Sequence, residues 1–114
     1  MSKGFKRYCF ALDLYDDPTL ILAYEEWHTK VWPEVISVIK ESGIESLQIF
    51  RVSTRLFMIM EVNDSFSFEH KATLDADSEK VQDWEKLMWQ FQKPLPFSKP
   101  GEKWVLMNEI FTLK

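Results

Sequence analysis

A chain of 114 residues is sized for one folded domain, residues 1–114, and can bury roughly two-thirds of its unfolded surface without metal or disulfide support. Its net charge of −4 excludes the basic stripe of a general nucleic-acid binder, and no apolar run approaches the length of a membrane span, so neither nucleic acid nor membrane is an expected partner. The lone Cys9 has nothing to pair with inside the chain and the start, MSKGFKRY, lacks the apolar run of an export signal, which leads us to expect a cytoplasmic protein.

In chain order, KRYCFALDLY mixes aromatic and aliphatic residues at strand length and predicts a strand over residues 6–14. DDPTL then reads as a helix start, with Pro18 where the first turn tolerates it. Leu20, Tyr24, His28, Val31, Val35 and Ile39 follow at spacings of three and four, a single helical face that ends where Gly43 suits a left-handed stop. Two strands, about 44–52 and 55–62, are joined by Ser53-Thr54, and so short a link demands an antiparallel hairpin. DSFSFEHKATLDAD reads as an irregular turn or a short helix. DSEKVQDWEKLMWQF is a clearer helix, capped by Asp77 or Ser78, with Val81, Trp84, Leu87, Met88 and Phe91 on one side. QKPLPFSKPGEK, with three prolines in twelve residues, predicts a loop, and WVLMNEIFTL a closing strand.

The order β-α-β-β-α-β predicts two helices on one face of a four-stranded, mostly antiparallel sheet, the ferredoxin-like α+β plan. Nothing in the chain is left to cover the other face, and such a face becomes a partner interface, a ligand floor or both. In the third strand Leu56, Met58, Met60 and Val62 form an apolar set suited to helix packing, while Phe57, Ile59 and Glu61 point the other way. With Arg7 and Asp13 from the first strand, Glu61 makes that second face read as a lined cleft, or as ordinary solvated strand ends.

The stretch YEEWHTKVWPEV concentrates the residues that carry chemistry. Tyr24 and His28 lie four apart and stack on one helical face, where imidazole and phenol can exchange protons with a bound molecule. The same pair also fits a half-buried histidine packed on a helix. Pro33 cannot donate its backbone N–H and pushes Trp32 out of helical angles. It either kinks one helix, aiming Tyr24, His28 and Trp32 at a common point, or starts a second. No phosphate loop, nucleophile elbow or metal-spaced ligand cluster is present, and three glycines leave little for a nucleotide cradle. What remains is cofactor-free acid–base chemistry between aromatic walls, with His28, Tyr24, Glu61, Trp84 and Glu85 as candidates and no metal or cofactor expected. Aromatics at 15% of the chain, five of them Trp, suit flat walls around a small ring-shaped ligand as well as a core.

CFALDLYDDPTLI, YEEWHTKVWPEV, RLFMIMEV, VQDWEKLMWQFQ and GEKWVLMNEIF, in that order and nearly end to end, resemble the L-rhamnose mutarotase family, and most of all its branch associated with L-fucose. The resemblance implies a homodimeric α+β barrel whose two sheets cover each other's bare faces. It implies an isomerase that interconverts the α and β anomers of a 6-deoxy-L-sugar by opening and closing the ring. Carried over by position, His28 matches the family's proton donor, Tyr24 a substrate contact, and Trp84 the first of two adjacent tryptophans that line the sugar. Glu85 stands where rhamnose enzymes have the second tryptophan, and Leu47 where they place a tyrosine; both departures favour L-fucose over L-rhamnose. Glu85 is then the candidate base or hydroxyl anchor, Glu61 the weaker alternative base, and Trp32 a second flat face for the sugar. The competing readings are an L-rhamnose mutarotase, a cofactor-free monooxygenase or heme-handling relative on the same barrel, a non-catalytic sugar-binding or regulatory module, and a plain dimerisation domain.

Overall fold

The computed structural model describes residues 6–114. These form β1 (Lys6–Leu14), α1 (Pro18–Trp27), α2 (Pro33–Glu41), β2 (Ile44–Val52), β3 (Arg55–Val62), α3 (Phe68–Asp77), α4 (Glu79–Trp89), β4 (Gln92–Lys93) and β5 (Val105–Leu106). One antiparallel sheet runs β2-β3-β1-β4, and β5 pairs with β1 as well. Because β3 occupies one edge of β1 along its length, β4 and β5 share the other. This is the expected α+β arrangement, with its fourth strand broken in two.

Register decides which side chains meet. Tyr8, Phe10 and Leu12 lie opposite Met60, Met58 and Leu56, so these residues share one face. That face meets the helices: Leu12, Leu14 and Leu56 are buried with Tyr24, Val35, Val81, Trp84 and Met88. In β2 the register slips between Ile44 and Ser46, and the extra residue turns Leu47 and Ile49 toward the same side as Ile44. Gly43, just ahead, has φ of +100° and leaves no room for a side chain, because a Cβ there would stand 2.8 Å from Asn63 Oδ1.

The helical face spanning Leu20 to Ile39 is two helices, and Pro33 starts the second. Asp17 caps α1 by accepting from the backbone N–H of Thr19 and Leu20, and His28 closes its last turn. A tight turn through Lys30 leads to Trp32, whose extended backbone (φ −58°, ψ 135°) is what a following proline imposes. The segment read as an irregular turn or short helix is the ten-residue α3, capped by Ser67. Its apolar residues form no continuous stripe, so periodicity had little to show. Ser78 caps α4 through Val81 N–H. The proline-rich loop begins two residues later than expected, because Gln92 and Lys93 still pair with β1.

The closing strand expected over residues 104–113 is a correction. Only Val105 and Leu106 pair, with one further bond from Met107 N–H to Cys9 O at 2.8 Å. Beyond it Ile110, Phe111 and Leu113 are 95%, 76% and 86% exposed. On the bare face the charges fit the second of the two readings, solvated strand ends: Arg7 pairs with Glu61 at 2.8 Å, Arg55 pairs with Asp13, and both pairs lie among the half-exposed Cys9, Phe57 and Ile59. Charged residues at strand positions satisfied one another across neighbouring strands, which solvated strand ends do at little energetic consequence.

Candidate functional site

The cleft lies on the opposite side of the sheet, between the sheet and its helices. Leu47, Ile49, Met58 and Met60 form its floor, and α1, α2 and α4 its walls. A chamber of about 180 Å³ results. Pockets for drug-sized ligands run roughly 300–1,000 Å³, so this one is scaled to a single small ring. Past His28 it opens into a wider groove of about 590 Å³ rimmed by Glu25, Phe50 and Arg51.

Tyr24 and His28 reach the chamber from the last turn of α1. The Tyr24 carbonyl can only accept, so the 2.8 Å contact with His28 Nδ1 is an Nδ1–H donation. That bond fixes the ring and leaves Nε2 as the nitrogen free to take or give a proton. The two rings lie 4.4 Å apart between centroids, tilted by 47°, and Trp84 stands edge-on to His28 at 5.7 Å. Tyr24 is buried, and its hydroxyl accepts from Gln92 Nε2 at 3.1 Å. Burial, reinforced by the charge of Glu85 and opposed by the Gln92 bond, pushes its phenol up to about 12. The group therefore remains a neutral O–H donor at physiological pH.

Glu85, from α4, lines the chamber and is ion-paired with Lys103, whose ammonium also lies 4.7 Å over the Trp89 ring. Lys103 arrives from the loop after β4, far from Glu85 in sequence. Lys71 and Asp75, one turn apart on α3, pair at 2.6 Å on another part of the wall. Among the described residues no group of three or more His, Cys, Asp or Glu is arranged to hold a metal, and no helix is long and apolar enough to cross a membrane.

Of the residues singled out from sequence, the structure brings Tyr24, His28, Leu47, Trp84 and Glu85 to one chamber. Glu61 is not there; it sits on the far face of the sheet, paired with Arg7. Strand alternation already gives the reason, since Met60 points into the chamber and its neighbour must point away. Trp32 lies behind the wall, edge-on to Trp84 at 5.1 Å and Trp27 at 6.5 Å, and buttresses Trp84. Sequence reasoning missed Gln92, Lys103 and the methionine floor. Met58 and Met60 were visible only as helix-packing residues, and nothing in QKPLPFSKPGEK signals that its ends return to α4.

The sequence profile of the family described as L-rhamnose mutarotase matches residues 7–113 of the chain. Over 112 residues the chain is 48% identical to the L-fucose mutarotase of Xanthomonas campestris pv. campestris, covering 96% of this chain and 90% of that protein. Among solved structures, L-rhamnose mutarotase from Formosa agariphila superposes with a TM-score of 0.69 at 23% identity, over 96% of this chain and 99% of that one. Tetracenomycin F2 cyclase from Streptomyces glaucescens superposes with a TM-score of 0.54 at 14% identity, over 96% and 99% respectively. A polyketide cyclase shares the architecture, so the fold alone carries no activity.

Proposed function

The chain belongs to the L-rhamnose mutarotase family, and from that premise we propose that it interconverts the α and β anomers of a 6-deoxy-L-sugar, L-fucose in particular. The observation that carries the reading is His28: its Nδ1 is committed to a backbone carbonyl, and its ring faces a chamber of monosaccharide scale lined by Tyr24, Trp84 and Glu85. The 48% identity to an L-fucose mutarotase supports the choice of sugar, as do Glu85 and Leu47 where the rhamnose pattern has aromatic residues.

Ring opening needs one proton delivered and one removed. Imidazolium Nε2–H of His28 gives its proton to the ring oxygen as the bond from that oxygen to C1 breaks. Glu85 takes the proton of the anomeric hydroxyl, and C1 becomes an aldehyde. Rotation about the C1–C2 bond presents the other face of the carbonyl. On closure Nε2 recovers its proton from the ring hydroxyl, and Glu85 returns its proton to O1. Each positioned group contributes typically 10²–10⁴-fold, and the balance requires no redox group or metal. Trp84 offers its surface to the apolar C–H side of the sugar.

The site works, in this reading, in the cytoplasm and within a homodimer. A reducing compartment suits the unpaired Cys9. Phe50 and Phe57 on the bare face of the sheet and the exposed tail residues Ile110, Phe111 and Leu113 suit a second copy of the chain as cover.

Anomeric-exchange NMR with L-fucose, L-rhamnose and D-galactose tests the reaction. Accelerated exchange for a 6-deoxy-L-sugar is expected, reduced at least about 10²-fold in His28→Ala with the fold intact. Exchange at the parental rate in that variant would remove His28 as the acid, and an undiminished Glu85→Gln would remove Glu85 as the base. Binding without faster exchange would leave a sugar-binding module.

A further inference from the structure

One polar group in the chamber wall has no assigned task. Gln92, on β4, is 2% exposed and lines the chamber. Its amide nitrogen donates to Tyr24 Oη at 3.1 Å, while its amide oxygen is buried without a hydrogen-bond partner. A buried acceptor left unpaired is destabilising, and proteins keep such groups where a ligand or a mechanism uses them. The terminal amide torsion is soft. A half-turn lets Tyr24 donate to the oxygen instead and leaves the nitrogen unpaired, so in either orientation one end of the amide is spare.

We propose that Gln92 is a substrate-binding residue: its spare amide end hydrogen-bonds a hydroxyl of the sugar, while the other end holds the Tyr24 hydroxyl. The proposal rests on the sugar reading above and adds a specificity determinant to it. Tyr24 and Gln92 then act as one unit. The phenol, kept protonated by its burial, offers its O–H to the sugar while its oxygen accepts from Gln92. In that arrangement the amide oxygen is the spare end, and it accepts from a neighbouring sugar hydroxyl. A site built to hydrogen-bond a hydroxyl rejects analogues that lack it, because the buried group is then stranded. The position of Gln92 explains why it can do this. Pairing of Leu14 with Gln92 pins β4 to the end of β1 directly after α4, and the chain cannot carry the side chain away from Tyr24 without breaking that pairing.

The test compares the parent with Gln92→Met, which keeps volume and removes both amide groups. Sugar affinity is read by tryptophan fluorescence, and exchange rate separately by NMR. The melting temperature of Gln92→Met should change little, since removing the unpaired amide oxygen offsets the lost bond to Tyr24, while affinity for L-fucose falls about tenfold. Among 2-, 3- and 4-deoxy-L-fucose, one should bind the parent about tenfold more weakly than L-fucose yet bind Gln92→Met no more weakly than L-fucose does. In the parent, the Gln92 side-chain amide resonance should shift on adding L-fucose, a readout that needs no variant to fold. Identical deoxy-sugar losses in the two proteins, an unmoved amide resonance, or a lowered melting temperature with unchanged affinity would each overturn the proposal. The two readings fail separately. Parent binding without accelerated exchange sinks the mutarotase reading while Gln92 stands or falls on affinity, and full affinity and exchange in Gln92→Met sink Gln92 alone.

Discussion

Tyr24 shows how much of the site's behaviour belongs to single side chains. A tyrosine at the solvent-exposed end of a helix titrates near 10, whereas this one, buried beside Glu85, is pushed up to about 12. The folded state therefore holds a proton that the unfolded chain gives up between those values. Stability from this source is complete below pH 10 and is lost as pH rises through about 12, by roughly 2–3 kcal/mol in all. Tyr24→Phe should remove that loss. Urea midpoints at pH 9 and pH 11.5 should fall apart more for the parent than for Tyr24→Phe, since all other groups titrate alike in both. Equal differences would mean that the phenol is not shielded as its burial implies. The residue scale also separates what spacing reveals from what it hides. The i, i+4 relation of Tyr24 and His28 survives intact because it lies within one helical turn. Gln92, which completes Tyr24's bonding, sits 68 residues along the chain, and no local pattern points across that distance.

At the scale of elements, the strongest sequence signals were those decided within a few residues. β1, the hairpin of β2 and β3, and α4 with its Ser78 cap follow from alternation, a two-residue turn and an apolar stripe. Pro33 was ambiguous because a proline breaks a helix in the same way whether the pieces stay aligned or part. Packing chose the second outcome: Trp32 turns back onto Trp84 and Trp27, holding the break open and backing the chamber wall. With that cluster in place the proline itself is a minor contributor. Pro33→Ala should cost less than about 1 kcal/mol, chiefly through the freer unfolded chain, and anomeric exchange should stay within about twofold of the parent's. The checks are chemical denaturation and NMR exchange; turnover falling far more than stability would mean that Pro33 itself aims His28.

For the whole molecule, the sheet has one face buried under four helices and one that no helix among the described residues covers. Phe50 on that face is half exposed against Phe57, and the last residues carry apolar side chains into solvent. The proposed homodimer covers both. Phe50→Asp places a charge where the partner's sheet would pack, and desolvating it would cost several kcal/mol. That variant should run as a monomer, or with dimer affinity lowered at least about a hundredfold, in light scattering at concentrations where the parent is dimeric. A parent that is monomeric at all concentrations, or a Phe50→Asp variant that dimerises as well as the parent, would count against this face as the interface.

Local physics in the sequence determined the first three strands, the hairpin, α4 with its cap and the pairing of Tyr24 with His28, because each depends on atoms a few residues apart. It also carried the α+β order, since crossovers and a short hairpin leave few ways to stack these elements. Which face of the sheet held the cleft was settled only in three dimensions. The face lined with charges closed on itself through Arg7–Glu61 and Arg55–Asp13, while the apolar face, left incompletely filled beneath a broken helix, opened the chamber. The same holds for Lys103 against Glu85 and Gln92 against Tyr24. Such partners are chosen by where strands and loops end up in space, and the sequence between them carries no record of the distance.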